Sequence, residues 1–278
     1  MAALDPRLNP FRRDIAAKHL EGQVEAAHFV EGTIAEVIEP IADVRRDPAH
    51  EAPLDTQALK GERVTVYETS EEGWAWGQLE SDHYVGYLSA NALGPPGPLP
   101  THRVIAPRTF GFPVADIKLP PMIALPMGAK IEIVKETERF ALNSYGWHFP
   151  LSHVAPLAKR QPDFVAVAES LMNAPYLWGG KSSLGIDCSG LVQIALHLAG
   201  VACPRDTYMQ ERIGQPVALK DVRRGDLVFW KGHVAIAQDA KIIIHANAHH
   251  MMVASEPLSE AVTRIKRAGS DITSVKRL

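Results

Sequence analysis

The side chain in this sequence that is best suited to do chemistry is a cysteine that directly precedes a helical apolar pattern. Cys188 directly follows Asp187, and the apolar residues after it have helical spacing: Leu191, Val192, Ile194, Ala195 and Leu198. Glycines precede it, so we expect Cys188 at the junction of a loop and a helix. Unpaired N–H groups and the helix dipole favour negative charge at such a junction, which lowers the pKa of a thiol. Cys188 is therefore a candidate nucleophile; the alternative is a small buried residue.

Two histidines downstream have the spacing to serve that cysteine. The runs GHVAIAQD and AKIIIHANA predict two strands, with Gln238-Asp239-Ala240 as the hairpin turn between them. If Asp239 is the centre of the turn, His233 and His245 are directly opposed and share a sheet face. A cysteine helix packed on that face would meet His233, and His245 would orient the ring. Nucleophile, base and orienting residue follow the logic of a catalytic triad, although each histidine taken alone is compatible with a structural role.

The region that must position these side chains, residues 161–278, has an α+β pattern. Asp163 can cap a helix that runs through Met172, and Asp206 or Thr207 can cap a short helix after the cysteine helix. Three β-rich runs follow, which predicts helices packed on an antiparallel sheet. The cysteine would then lie on a helix and both histidines on the sheet.

Short β-type runs separated by glycine and proline fill most of the chain before that region. They form two segments, 34–94 and 101–158, and the proline-rich stretch Gly94–Pro100 between them predicts a stiff spacer and a domain boundary. A weak internal repeat predicts one small barrel in each segment. Residues 1–33 are predicted to be an N-terminal helical segment, with a helix over Asp14–Leu20.

Composition limits the classes of protein to consider. The 278 residues carry a net charge of −3, which does not suggest nucleic acid as the main partner. No run approaches the roughly 20 apolar residues that a membrane span needs, and the N-terminus lacks a signal-peptide pattern. Two cysteines do not make a disulfide framework, and Cys203 is interpreted as structural. We expect a cytoplasmic protein with reduced thiols; export without a sequence signal, such as release by cell lysis, is the alternative.

Six short motifs stand in an order and approximate spacing that resemble one enzyme family. They are Tyr176-x-Trp178-Gly179-Gly180, Asp187-Cys188-Ser189-Gly190-Leu191-Val192, Pro204-Arg205-Asp206, Gly225-Asp226-Leu227-Val228-Phe229, Gly232-His233-Val234 and His245-Ala246. Residues 161–278 resemble the NlpC-family papain-like cysteine peptidases, which cut bacterial cell-wall peptides. Residues 34–157 resemble, more weakly, the pair of bacterial SH3-like domains that precede this domain in one branch. The resemblance implies an α+β fold in which two small SH3-like β-barrels precede a papain-like cysteine peptidase domain.

The resemblance also implies an activity and a set of site residues. The family hydrolyses the amide between γ-D-glutamate and the diamino acid, diaminopimelate or lysine, of peptidoglycan stem peptides. By residue-to-residue match, Cys188 is the nucleophile, His233 the general base and acid, and His245 the orienting residue. Tyr176 matches the oxyanion donor, which acts beside the Cys188 backbone N–H. The positions that match the lining of the substrate cleft are Asp187, Ser189, Asp206 and Thr207, with Trp178 as a wall of the cleft.

In the two-barrel branch the first barrel closes one end of the cleft. This implies free stem peptides with an N-terminal L-alanine as substrates, and release of L-Ala-γ-D-Glu during cell-wall recycling. Tyr84 matches the barrel tyrosine of that branch. An acidic group is expected to meet the substrate ammonium, because an unpaired buried charge is costly. Pro53 stands where many relatives carry glutamate, so the candidates are the neighbouring acids Asp47, Glu51 and Asp55.

Two other functions are compatible with the sequence. The first is a lytic endopeptidase that acts on intact cell wall, and the second is a wall- or partner-binding SH3-like protein with a secondary catalytic domain. The i, i+4 spacing of His245 and His249 is compatible with zinc, but no HExxH motif is present and the segment is predicted as strand then loop. We expect no metal and no cofactor. The expected partner is a peptide substrate, with neither nucleic acid nor membrane.

Overall fold

The computed structural model describes residues 4–278, which divide into two compact units. The N-terminal unit runs up to Val104 and resumes over Arg108–Leu157, and the C-terminal unit consists of Ile105–Pro107 and Ala158–Leu278. In the part of the chain that is described, no helix is both long and apolar enough to span a membrane.

The N-terminal unit is built from short strands. In chain order they are β1 (Ile15–Ala17), β2 (His28–Val30), β3 (Thr33–Val37), β4 (Ile41–Arg45), β5 (Leu54–Leu59), β6 (Arg63–Thr69), β7 (Trp74–Leu79), β8 (Val85–Ser89), β9 (Leu93–Gly94), β10 (His102–Val104), β11 (Arg108–Gly111), β12 (Ile123–Pro126), β13 (Lys130–Ile131), β14 (Ile133–Glu136), β15 (Phe140–Asn143), β16 (His148–Pro150) and β17 (Val154–Pro156). Single 3-10 turns lie at Lys18–Leu20, Ala90–Ala92 and Leu151–His153.

Seven of these strands, β3 to β9, form one antiparallel sheet in the order β5-β4-β8-β7-β6-β3-β9. Its inward-facing residues make an apolar core cluster of fully buried side chains that includes Val37, Val44, Val64, Leu79 and Leu88. Strand residues point alternately to the two faces, so Ala42 and Val44 of β4, and Val64 and Val66 of β6, reach this core together. The strands β10 to β17 form three smaller sheets around a second core that contains Leu125 and Phe149. The assignment of a second SH3-like barrel to 101–158 stays a prediction.

The N-terminal helix predicted over Asp14–Leu20 is wrong. Ile15–Ala17 is instead strand β1, which pairs in parallel with β2, and only Lys18–Leu20 makes a 3-10 turn. Ile15 packs with Trp76 and Val85 in a small apolar cluster. The reason is tertiary: a short helix is marginal by itself, and strand pairing with packing on β7 and β8 outweighs its weak helical pattern.

The C-terminal unit combines four helices with one large sheet, counted over the described residues. The helices are α1 (Phe164–Glu169), α2 (Cys188–Leu198), α3 (Thr207–Gln210) and α4 (Leu258–Arg267), with a 3-10 turn at Leu219–Asp221. The strands are β18 (Lys181–Ser182), β19 (Gly185–Ile186), β20 (Gln215–Pro216), β21 (Leu227–Trp230), β22 (His233–Ala237), β23 (Ile242–Asn247), β24 (Met252–Pro257) and β25 (Ile272–Arg277). Six of them form a sheet in the order β20-β25-β21-β22-β23-β24.

Helices pack on this antiparallel sheet, as the sequence predicts. The helix α2 contacts β22 and β23. A separate cluster joins Ala235, Ala237 and Ile243 of the sheet to Leu258 and Ala261 of α4. Because side chains alternate along a strand, the odd-numbered residues of β22 and β23 point to the face that α4 covers. His233 and His245 belong to these odd-numbered positions.

Candidate functional site

The cysteine lies at the first residue of α2, as predicted. Asp187 is the N-cap, and its side chain accepts a hydrogen bond from the backbone N–H of Gly190 at 2.7 Å. This local bond fixes the start of the helix because it satisfies one of the N–H groups that the first turn leaves unpaired. The predicted stop is also present, since Gly200 follows the helix with φ +77°.

A buried arginine ties this helix start to two neighbouring segments. Arg205 is 1% exposed; it donates to Oδ2 of Asp187 at 2.7 Å and to Oγ of Ser189 at 2.7 Å. It also donates to the backbone carbonyl of Gly180 at 3.3 Å. Asp187 and Ser189, predicted to line the substrate cleft, are thus buried in an internal network. Sequence reasoning quoted Arg205 in a motif but gave it no role; its position directly before Asp206 was the available signal.

Position 190, in the first turn of α2, has no room for a side chain. A Cβ at this position would lie 2.3 Å from the carbonyl oxygen of Gly180 and 3.0 Å from Oδ1 of Asp187. No side chain fits at the first distance, so the loop with Gly180 and the first turn of α2 approach as closely as their backbones allow. The glycine is therefore part of what positions Cys188.

The thiol itself is buried, and its titration differs from the expectation. Burial, together with the neighbouring negative charge of Asp187, raises the pKa of Cys188 to about 11. The Val234 N–H and the Thr207 hydroxyl, whose Oγ1 lies 4.0 Å from Sγ, oppose this rise in pKa without cancelling it. Cys188 is thus a neutral thiol at rest, and the expected lowering by the helix N-terminus does not dominate.

The hairpin that carries both histidines has a register different from the predicted one. Ile236 pairs with Ile244 and Ala237 with Ile243, so continuing the register brings His245 opposite Ala235, two residues from His233. The shift arises in the turn, where Oδ1 of Asp239 accepts hydrogen bonds from the N–H groups of Lys241 and Ile242. Asp239 therefore opens the turn rather than forming its centre. The two histidines still share a face, as diagonal neighbours.

The two imidazoles are hydrogen-bonded to each other. Nε2 of His233 and Nδ1 of His245 are 2.8 Å apart. Burial holds the pKa of His233 well below its usual range, at about 3, with His245 as the next cause; burial likewise lowers the pKa of His245. Both rings are therefore neutral over the physiological pH range. Within residues 4–278, the Sγ of Cys188 bonds to Thr207 and to the Val234 amide next to His233, and not to the His233 ring itself.

A carboxylate that sequence reasoning missed continues this chain. Oε1 of Glu256, on β24, lies 2.7 Å from Nε2 of His245, and Arg264 of α4 donates to the same oxygen. The signal available in the sequence was a further strand after His245, which would have put Glu256 beside it. Donor atoms of His245, His250 and Glu256 lie within 4.8 Å of one another, a set that could hold a metal ion. The Arg264 guanidinium on the same carboxylate opposes a cation there.

Tyr176 is the predicted oxyanion donor. It is half-buried, and burial together with the nearby Cys188 raises the pKa of its hydroxyl to about 12, so it remains a donor. Trp178 is 63% exposed, two residues along the same loop. Thr207 is the first residue of α3, and Asp206 is its N-cap residue. The C-terminal unit thus brings Cys188, Tyr176 and Thr207 together.

The substrate-binding candidates that the sequence predicts in a first barrel have different environments within the N-terminal unit. Tyr84 is 1% exposed and belongs to the apolar core of the seven-stranded sheet, so its ring is part of the packing. Asp55 is bound by Arg46, with Oδ1 2.7 Å from Nη2. Glu51 is exposed. Of the two carboxylates Glu51 and Asp55, Glu51 is the more accessible to solvent.

Comparison with known proteins agrees with this architecture. Residues 173–267 match the NlpC/P60 family model, and residues 44–93 match the bacterial dipeptidyl-peptidase SH3 domain. The gamma-D-glutamyl-L-lysine dipeptidyl-peptidase of Bacillus subtilis (strain 168) is 30% identical over 64% of this chain and 64% of its own length. Dipeptidyl-peptidase 6 of Lysinibacillus sphaericus is 42% identical over 30% of this chain and 31% of its own. The chain spans less than two thirds of the length of either relative.

A solved structure has the same fold over most of the chain. An NlpC/P60 family protein from Bacillus cereus ATCC 10987 superposes with a TM-score of 0.75 at 19% identity and covers 88% of this chain and 99% of the other. The fold is therefore that of a papain-like NlpC/P60 domain with an SH3 domain on its N-terminal side. On its sequence matches, residues 173–267 of this chain form an NlpC/P60 domain, the domain of a family of cysteine peptidases.

Proposed function

We propose that this protein is a cysteine peptidase that hydrolyses the γ-D-glutamyl–diamino acid amide of free peptidoglycan stem peptides, with release of L-Ala-γ-D-Glu. The observation that carries the proposal is that the thiol of Cys188, at the start of α2, contacts the backbone amide of Val234, next to His233, whose ring is hydrogen-bonded to His245. The substrate class is supported by the name of the Bacillus subtilis relative, which matches 64% of this chain. We further propose a role in cytoplasmic cell-wall recycling.

The proposed chemistry begins from two neutral groups. As substrate binds, Nδ1 of His233 accepts the thiol proton while Sγ of Cys188 attacks the γ-carbonyl carbon. The oxyanion that forms is stabilised by the Tyr176 hydroxyl and by the backbone N–H of Cys188 in the first helical turn. Catalytic hydrogen bonds are often long in ligand-free sites and shorten when substrate binds, which fits a thiol that contacts the Val234 amide at rest.

The same histidine completes the reaction. The imidazolium of His233 gives its proton to the leaving amine as the C–N bond breaks, which leaves a thioester on Cys188. His233 then removes a proton from water, and the hydroxide attacks the thioester carbon. The C–S bond breaks, the dipeptide leaves with a free γ-carboxylate, and Cys188 regains its proton.

The test compares three substrates. Purified protein is incubated with L-Ala-γ-D-Glu-diaminopimelate, with its L-lysine analogue, and with intact sacculi, and the products are followed by mass spectrometry. We expect cleavage of one or both tripeptides and none of the sacculi. Lysis of sacculi would overturn the recycling proposal in favour of a lytic endopeptidase, and binding to sacculi without any cleavage would favour a binding protein.

Variants test the assignment of the nucleophile. We expect Cys188→Ser and Cys188→Ala to abolish turnover with almost unchanged melting temperatures. Cys203→Ser, the matched change at the other cysteine, should leave turnover intact. Surviving activity in either Cys188 variant would show that the nucleophile is elsewhere. An N-acetylated tripeptide tests the need for a free amine, and Glu51→Gln and Asp55→Asn test which barrel carboxylate contributes to that preference.

A further inference from the structure

Glu256 stands at the end of a hydrogen-bonded chain that leads to the candidate base. Its Oε1 lies 2.7 Å from Nε2 of His245, whose Nδ1 lies 2.8 Å from Nε2 of His233. The side chain of His245 has no exposed surface and that of Glu256 is 9% exposed, so water does not compete freely for these bonds. Neutral imidazole has one donor and one acceptor nitrogen, and the partners decide which is which.

Proton positions along this chain follow from the carboxylate. Burial acts to raise the pKa of Glu256, but the hydrogen bond from His245 and the positive charge of Arg264 outweigh burial and lower it, so the group is ionised. An ionised carboxylate only accepts, so Nε2 of His245 must carry a hydrogen and its Nδ1 must accept. His233 must then donate through Nε2. This leaves the lone pair of His233 on Nδ1, the nitrogen that a general base needs free.

Arg264 restrains the carboxylate from the other side. It donates to the same Oε1 from α4, the helix that covers the sheet face shared by His233 and His245. Its side chain is 29% exposed, so it is anchored at the edge of the site. The Arg264 guanidinium can donate hydrogen bonds but cannot accept them, so Oε1 of Glu256 must be an acceptor. Glu256 therefore presents an oxygen without a hydrogen to His245.

We propose that Glu256 is a positioning residue that fixes the tautomers of both imidazoles, so that the proton-accepting nitrogen of His233 is Nδ1, with Arg264 as its anchor. The proposal rests on the proposed function, because it assigns His233 as the base. It adds a fourth member to the Cys188–His233–His245 set. Glu256 acts through the two rings and does not touch substrate.

The direct test is the tautomer of His233 in the resting wild-type protein. Histidine-selective 15N labelling of the full chain, with the His233 signals assigned by their loss in His233→Gln, reports which ring nitrogen carries the hydrogen. We expect the hydrogen on Nε2 of both His233 and His245. A hydrogen on Nδ1 of His233 would overturn the proposal whatever the enzyme does with any substrate.

Two substitutions separate positioning from structure. Glu256→Leu removes the acceptor; we expect kcat for the tripeptide to fall by about 10- to 100-fold, the range typical when a metal-ligating histidine loses its hydrogen-bond partner, with little change in KM. Glu256→Gln keeps an acceptor, because Arg264 selects the amide oxygen, and should restore most of kcat and the wild-type 15N pattern. Glu260→Leu makes the same change at an exposed acid of α4 and should alter neither.

The outcomes distinguish this proposal from the proposed function. If the wild type cleaves the tripeptide and Cys188→Ser does not, but Glu256→Leu keeps the wild-type kcat and 15N pattern, the positioning role is wrong and the peptidase assignment stands. If the wild type cleaves no stem peptide, the proposed function is wrong, and the 15N pattern still decides the tautomer. If Glu256→Leu fails to fold, the 15N spectra of the wild type and of Glu256→Gln decide the tautomer of His233.

Discussion

The pH dependence of Cys188 alkylation is the most direct measure of how this site would generate a thiolate at Cys188, the proposed nucleophile. The thiolate is the reactive form of a cysteine, so the alkylation rate follows the thiolate fraction. With a pKa of about 11, instead of the ordinary 9.0, the thiolate fraction at pH 8 is about 0.001 rather than about 0.1. The structure therefore predicts about a hundredfold fewer thiolates than at an unperturbed cysteine.

The assay uses iodoacetamide on the resting protein between about pH 5 and pH 10. Mass spectrometry of the peptide that contains Cys188 separates its labelling from that of Cys203, and circular dichroism checks that the fold persists. Burial of the thiol slows alkylation at every pH, so the result is read from the slope of the logarithm of the rate against pH. We expect the rate to rise by about tenfold per pH unit without a plateau, because each unit below the pKa changes the thiolate fraction tenfold.

A plateau between about pH 5 and pH 8 would refute this reasoning. It would mean that a thiolate–imidazolium pair already exists at rest, which requires the pKa of Cys188 to be lowered and that of His233 to be raised. In the structure, the pKa of Cys188 is raised and that of His233 is lowered, because burial disfavours the charged form of each group. A plateau would therefore place the Sγ of Cys188 and the His233 ring in direct contact in solution.

Three substitutions test the framework around the thiol. Gly190→Ala should abolish turnover and lower the melting temperature, because its Cβ meets the Gly180 carbonyl at 2.3 Å; wild-type activity would contradict the close approach. Arg205→Met should lower the free energy of unfolding in urea by about 3–5 kcal/mol, because it leaves Asp187 charged and buried without its partner; a loss below about 1 kcal/mol would argue against that role. Tyr176→Phe should lower kcat by about 10²–10³ without changing the melting temperature, and an unchanged kcat would remove Tyr176 from the oxyanion site.

Sequence reasoning succeeds where the determinants are local. The start of α2 is predicted correctly because an N-cap aspartate, a helical apolar pattern and a terminal glycine all lie within one short stretch. The start of α1 at Asp163 is correct for the same reason, since the Asp163 side chain accepts from the N–H of Val165. The helix ends earlier than Met172, at Glu169, and the chain continues as turns.

Sequence reasoning fails where distant partners or a single turn decide the outcome. The register of the histidine hairpin depends on whether Asp239 opens or centres the turn, and that depends on two hydrogen bonds to Lys241 and Ile242. An error of one residue in the turn centre moves the opposed pair by two positions. The shared face survives because side chains alternate with a period of two. Glu256 was missed because its role depends on strand pairing and on Arg264 of α4, and no motif marks it.

The thiol pKa illustrates how magnitudes decide between local and tertiary effects. A helix N-terminus favours a nearby negative charge by about 0.3–1 kcal/mol at an exposed position. The difference between 9.0 and about 11 corresponds to about 3 kcal/mol in the other direction, chiefly through burial. Asp187, the residue that caps the helix, also contributes, because it places its own negative charge at that terminus. The same aspartate that positions Cys188 therefore opposes its ionisation.

In the proposed mechanism, this conflict gives His233 a larger part in the chemistry than a preformed ion pair would. If the thiol is neutral at rest, its proton must move as substrate binds, and an acceptor with its lone pair in place must be present at that moment. A ring with the wrong tautomer would present a hydrogen instead of a lone pair to Sγ and could not accept the proton. The need for a fixed tautomer is thus strongest in a site where burial keeps the cysteine protonated. In such a site a carboxylate bonded to the second histidine, as Glu256 is to His245, has its largest effect.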